Sequence, residues 1–86
     1  MNSELIAFIE SEKKYAESCV KFREDSVKCW RGGTDESWKA VGCRKTKAQR
    51  LETAAIHGRI AIKMRRRVEL FDGVLDVLLN SGRAMK

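Results

Sequence analysis

No proline interrupts the 86 residues, and apolar side chains recur at steps of three and four along almost all of them. That spacing gathers side chains on one face of an α-helix, whereas a strand would alternate them. Proline is the residue that most reliably breaks a helix interior. Glycine, the next breaker, occurs only six times. A sandwich or barrel of this length would need far more turn residues. The chain is therefore expected to be all-α, and its few breakers decide where one helix stops and the next begins.

Ser3 can cap a first helix with Glu4 in its first turn. Leu5, Phe8, Ile9, Tyr15, Ala16, Cys19, Val20, Phe22, Val27 and Trp30 form its wide apolar stripe, and Gly32 and Gly33 end it, giving a helix over about 3–30. A loop is expected over 31–36. Thr34 and Asp35 are both candidate N-caps for a short helix, or the start of a longer one, over about 35–41. Gly42 then offers a break, and Thr46 with Gln49 has the T-x-x-Q form of a capping box. A long helix is expected over about 46–80. The alternative is one helix running from about 35 to 80 with Gly42 inside it. Asn80, Ser81 and Gly82 predict its end, with a tail over 81–86.

Two long helices joined by a short connection make an antiparallel hairpin, a single helical domain. A first helix of about 28 residues is roughly 42 Å long. A second helix starting near 35 would carry residues 64–80 beyond its partner; one starting near 46 would leave a shorter overhang. Ala54, His57, Ala61, Met64, Val68, Phe71, Leu75 and Leu78 keep a heptad spacing. Met64, Val68, Phe71, Leu75 and Leu78 are expected to meet a second subunit, so the hairpin is expected to be a homo-oligomer, a dimer or higher. A chain this short buries a modest fraction of its surface, and oligomerisation is a common remedy.

The formal net charge is +6, and it is concentrated. Residues 44–67 hold nine Lys and Arg against one Glu, whereas residues 1–30 hold five against six Asp and Glu. A localised basic block favours an anionic partner: nucleic acid, a nucleotide or an acidic protein surface. Arg59, Lys63 and Arg66 fall at helical spacing on the side away from the heptad seam, and Lys45 and Lys47 precede them. Such a stripe can follow a phosphate backbone, and arginine offers a planar fork for phosphate oxygens. The same stripe also serves a protein that merely needs a solvated face. Arg65 and Arg67 flank the seam.

Other classes find little footing. Cys19, Cys29 and Cys43 are odd in number and widely spaced, which argues for reduced thiols in a cytoplasmic protein over a disulfide scaffold. With a single histidine, His57, on the core-facing stripe, no zinc-ligand spacing arises, and His57 is read as structural or interfacial. No nucleophile and base pair, phosphate loop or metal box is present, so neither an enzyme nor a cofactor is expected. No leader pattern or membrane-length apolar run is seen. Ala54 and Gly58 have the spacing of a helix-turn-helix, but Arg67 falls where that motif needs burial. Gly58 among Ala54, Ala55 and Ala61 is expected instead to let another helix approach closely. Trp30 and Trp38 bracket the turn, either as a stacking platform for a base or as a clasp that closes the hairpin.

The run D-E-S-W-K-A-V-G at 35–42, followed by K-T-K-A-Q at 45–49, resembles the tryptophan-containing turn of small phage proteins that sequester cyclic nucleotides. Those proteins are oligomeric helical hairpins, and the resemblance implies a nucleotide as ligand. It covers residues 35–49 only. The leading expectation is a small, basic, non-enzymatic binding protein, of the kind found among phage and mobile-element regulators and inhibitors, that engages an anionic partner. The alternatives are an inhibitor or adaptor that docks through its apolar C-terminal helix, and an anti-defence protein that sequesters a cyclic nucleotide.

Overall fold

Helix α1 (Asn2–Arg31) has Glu4 in its first turn and Lys28 and Arg31 in its last, each charge at the pole of the helix dipole that favours it. In the computed structural model, which describes the backbone of residues 2–84 and the side chains of 3–80, two further helices follow. They are α2 (Asp35–Ala40) and α3 (Lys47–Ala84). No strand occurs among the described residues.

The breakers act at the expected positions. The N–H of Gly32 closes α1 on the carbonyls of Lys28 and Cys29, and Gly33 turns the chain at φ +80°. A methyl group on Gly33 would come within 2.9 Å of Ser37 Oγ and 3.0 Å of the Trp38 ring nitrogen, so both backbone and space require glycine there. Of the two candidate caps for α2, Thr34 takes the role. Its Oγ1 accepts from the N–H of Ser37, and Ser37 Oγ accepts from the N–H of Thr34. Gly42, at φ +82°, ends α2 in a Schellman turn: its N–H reaches the carbonyl of Lys39, and the N–H of Cys43 that of Trp38. The break at Gly42 is thus real, and the continuous helix from 35 does not form. Thr46 and Gln49 make the expected reciprocal cap of α3, at 2.9 and 3.2 Å. At its far end α3 runs through Asn80, Ser81 and Gly82 to Ala84, past the expected stop. An isolated glycine costs a helix about 1 kcal/mol, which a long helix tolerates. The last two residues of the expected tail lie outside the described residues.

Helices α1 and α3 pack along their length as a hairpin, in a rod of 64 × 17 × 13 Å. Its direction follows from the pairs across it: Lys13 meets Asp72, Glu24 meets Arg65, and Val27 lies nearest Gly58. Numbers rise on one helix as they fall on the other, so the hairpin is antiparallel. Residues 64–80 therefore lie beside α1. The expected overhang of that segment is absent, because α3 begins at Lys47 and its first turns, not its last, extend past α1 towards α2.

The seam between the long helices is narrow. Ile9 and Ala16 on α1 and Ala54, Ala61 and Leu75 on α3 are the buried apolar side chains among the described residues. Three are alanines, which let the helix axes approach but bring little apolar area. The α1 stripe splits into two faces. Ile9, Ala16, Val20, Val27 and Trp30 turn towards α3, whereas Leu5, Phe8, Tyr15 and Phe22 stay exposed. Met64, Val68, Phe71 and Leu78, expected at a subunit interface, are half-buried, and Leu75 is buried within the chain. Their heptad faces α1.

Candidate anion-binding face

The basic block divides into three groups once folded. The first is internal. Arg50 is buried, with 6% of its surface exposed, and it ties the turn to α3. Its Nη2 donates to Asp35, its Nη1 to the carbonyl of Lys45 at 2.9 Å, and its guanidinium lies 5.6 Å from the Trp38 ring centre. The Arg50 guanidinium beside Asp35 holds that carboxyl below its usual value. Arg65 donates from Nε and Nη2 to Glu24 at 3.1 and 2.5 Å and ties α3 to α1. Arg50 is enclosed by these contacts, whereas Arg65 remains exposed and is paired at the surface.

The second group is the stripe. Arg59, Lys63 and Arg66 are exposed, and no carboxylate pairs with them among the described residues. At 100° per residue they span roughly 60° of the helix circumference and about 10 Å of its length, turned away from α1. The geometry is that of a charged ridge along one outer edge of the rod. Arg67 is exposed nearby, between this ridge and the apolar positions.

The third group sits at the turn. Lys45 precedes the cap of α3 and Lys47 is its first residue, so Lys45 lies outside the helix that carries the stripe. With Lys39 and Arg44 they line a cleft of about 510 Å³ beside the start of α3. Lys39 and Arg44 are not among the residues that spacing singles out. Only the Schellman turn at Gly42 brings α2 back beside Lys45, and no linear spacing announces that. About 18 Å of helix separates Lys47 from Arg59, so the five expected anion-binding residues form two clusters.

The tryptophans take the clasp arrangement. The rings of Trp30 and Trp38 stack with centres 5.0 Å apart and planes within 2°. Trp38 Nε1 donates to the carbonyl of Gly32 at 2.9 Å. One face of each ring that a base would need is already taken by the other ring. His57 bridges the helices: its Nδ1 lies 2.9 Å from Arg23 Nη1 and its ring meets Phe22 edge-on. An arginine can only donate, so this Nδ1 accepts and carries no proton in that arrangement. Gly58 has Val27 Cγ2 at 3.8 Å from where its Cβ would be, an ordinary contact, so the hairpin itself does not require glycine there.

Among the described residues, no group of three or more His, Cys, Asp or Glu is placed to hold a metal ion, and no helix is long and apolar enough to cross a membrane. The three cysteines are unpaired thiols. No protein-family model matches this chain, and neither a curated protein nor a solved structure similar to it was found.

Proposed function

We propose that the protein is a non-enzymatic helical binder of a phosphate polyanion, with nucleic acid as the partner class, engaged along the outer edge of α3. One observation carries this reading. Of the basic block, Arg50 and Arg65 are held by carboxylates, while Arg59, Lys63 and Arg66 are left exposed and unpaired on a single ridge. A ridge of one sign on a rigid helix matches a linear array of phosphates better than a single small anion. Lys45 and Lys47, with Lys39 and Arg44, extend the positive surface to the turn, about 28 Å of helix from Lys47 to Arg66.

The test replaces Arg59, Lys63 and Arg66 together by glutamine, which keeps helix propensity and most of the side-chain length. Helicity should be unchanged. Affinity for a short DNA duplex, read by fluorescence anisotropy across a salt titration, should fall. The log–log salt slope should become shallower by about 0.9 for each phosphate no longer neutralised. A triple variant that binds as the wild type does at every salt concentration shows the ridge to be only solvated. A cyclic mononucleotide that displaces the duplex at equal phosphate concentration moves the reading to nucleotide sequestration instead.

A further inference from the structure

Half of the large exposed apolar side chains among the described residues fall into two rows. Phe8, Tyr15 and Phe22 recur every seven residues on α1, and Ile56, Leu70 and Val77 keep the same interval on α3, with Lys63 at the intervening position. Residues seven apart stay on one face of a helix. The antiparallel register and the right hand of both helices put the two rows on the same long edge of the hairpin. Phe8 is level with Val77, and Tyr15 with Leu70. The edge-on contact of Phe22 with His57 marks this edge. The opposite edge carries the ion pairs Lys13–Asp72 and Glu24–Arg65.

These six side chains are between 47% and 67% exposed. At about 150–250 Å² for a fully exposed aromatic side chain, the three aromatics alone present roughly 280–470 Å², and Ile56, Leu70 and Val77 add to this. A standard interface takes about 800 Å² from each partner, and a monomer seldom leaves so large an apolar patch in water. The whole chain points the same way. Its accessible surface is 6920 Å², against about 5200 Å² for a compact monomer of its mass. Its buried core contains only two large apolar side chains, Ile9 and Leu75, among the described residues.

The geometry points to a second copy of this chain as the occupant: two hairpins lay this edge against each other about a two-fold axis and form a four-helix bundle. The face supplies a heptad row from each of two antiparallel helices, which is half of such a bundle, and a two-fold copy brings the same spacing to meet it. Its apolar side chains supply a large part of the area a dimer requires. The interface differs from the one the α3 heptad suggested, since that seam is turned to α1. It leaves Arg59 and Arg66 on the outer surface but takes Lys63 into the interface row, so of the ridge cations only Lys63 is shared between the dimer interface and the anion-binding ridge.

Sedimentation equilibrium of the wild type should give twice the 9.8 kDa chain mass. Its thermal midpoint should rise with protein concentration, as a dimer that melts to unfolded monomers requires. Tyr15→Glu combined with Leu70→Glu should raise the dimer dissociation constant by about a hundredfold or more. Both positions are exposed in the single hairpin. Ile62→Glu, also exposed but on the ion-paired edge, should leave the dimer intact. If the double variant unfolds when its partner is lost, the wild-type mass and the concentration dependence of its melting still decide. A monomeric wild type, a midpoint indifferent to concentration, or equal disruption by Ile62→Glu overturns the proposal. A wild type that stays monomeric but captures a different protein on this edge overturns it as well.

Discussion

The two long edges of the hairpin are built from the same two helices and share one seam, yet they solve opposite problems. On one edge Lys13 meets Asp72 at 2.5 Å, with Glu17 at 3.9 Å, and Arg65 meets Glu24. These pairs pin the register and keep that edge compatible with water. On the other, Phe8, Tyr15, Phe22, Leu70 and Val77 stand exposed with large apolar areas open to water. The ion-paired edge also exposes apolar side chains, since Leu79, in the same seven-residue row as Arg65 and Asp72, is 49% exposed and Ile62 51%, but it carries no aromatic row. The asymmetry gives the two edges separate roles. One carries the ion pairs that join α1 to α3, and the other carries the aromatic row of α1.

The largest effect that separates seam from edge is expected from a leucine pair. Leu75 is 8% exposed and Leu70 is 63% exposed. Leu75→Ala should lower stability by about 2–4 kcal/mol in urea melts, through reduced burial and the cavity it leaves. Leu70→Ala should cost the isolated hairpin little, and its effect should grow with protein concentration as the dimer becomes populated. Equal costs at low concentration would erase the distinction between seam and edge.

Gly58 tests the ion-paired edge. It lies in the middle of α3, next to a cleft bounded by Val27, Ile62 and Arg65, and its Cβ would make only an ordinary contact. Gly58→Ala should therefore raise stability by roughly 1 kcal/mol, the usual gain in a helix interior. A clear loss on thermal melting would mean that another helix approaches this edge and needs the space, so that the edge is not simply solvated.

The ion pairs should contribute least. Glu24→Gln should cost below about 1 kcal/mol, and less in high salt, because such pairs stay partly solvated. Asp72 holds the Lys13 ammonium above its ordinary pKa, chiefly through its hydrogen bond. A raised folded value means that this stabilisation is fully present below the ordinary lysine pKa and is lost as pH rises through the raised one. The alkaline fall in melting temperature should be smaller in Lys13→Gln than in the wild type. An identical fall would show that the pair does not hold the edge.

Much of the local structure was legible. Gly33, Thr34, Gly42 and the Thr46–Gln49 pair mark helix ends through interactions among residues three to five apart, and such interactions depend on little beyond the chain itself. The seven-residue recurrence of Phe8, Tyr15 and Phe22 was also in plain view, but it merges with Ile9, Ala16 and Val20 into one broad stripe. Dividing that stripe needs the direction of α3, and one helix cannot reveal where its partner will lie. The end of α3 departs from its expected place because Gly82 weakens a helix without requiring it to stop. The division of the anion-binding residues into a ridge and a turn cluster was hidden as well, since it depends on where Gly42 sends the chain.

By itself the sequence determined the helical class, the break at Gly32 and Gly33, the Thr46–Gln49 cap and the concentration of positive charge, because each rests on backbone sterics, short-range hydrogen bonds or composition. It left open the break at Gly42 and the choice of Thr34 over Asp35, and its Ser3 cap falls inside α1. Only the tertiary structure decided which cations are free. Arg50 and Arg65 look no different from Arg59 and Arg66 in a linear reading. They are set apart by Asp35, fifteen residues away, and Glu24, forty-one away, and charge acts through distance in space, not along the chain. The same holds for the apolar side chains. The register of α1 on α3 buries Leu75 and exposes Leu70, although the two are equally apolar and only five residues apart, because a helix offers its partner one narrow face.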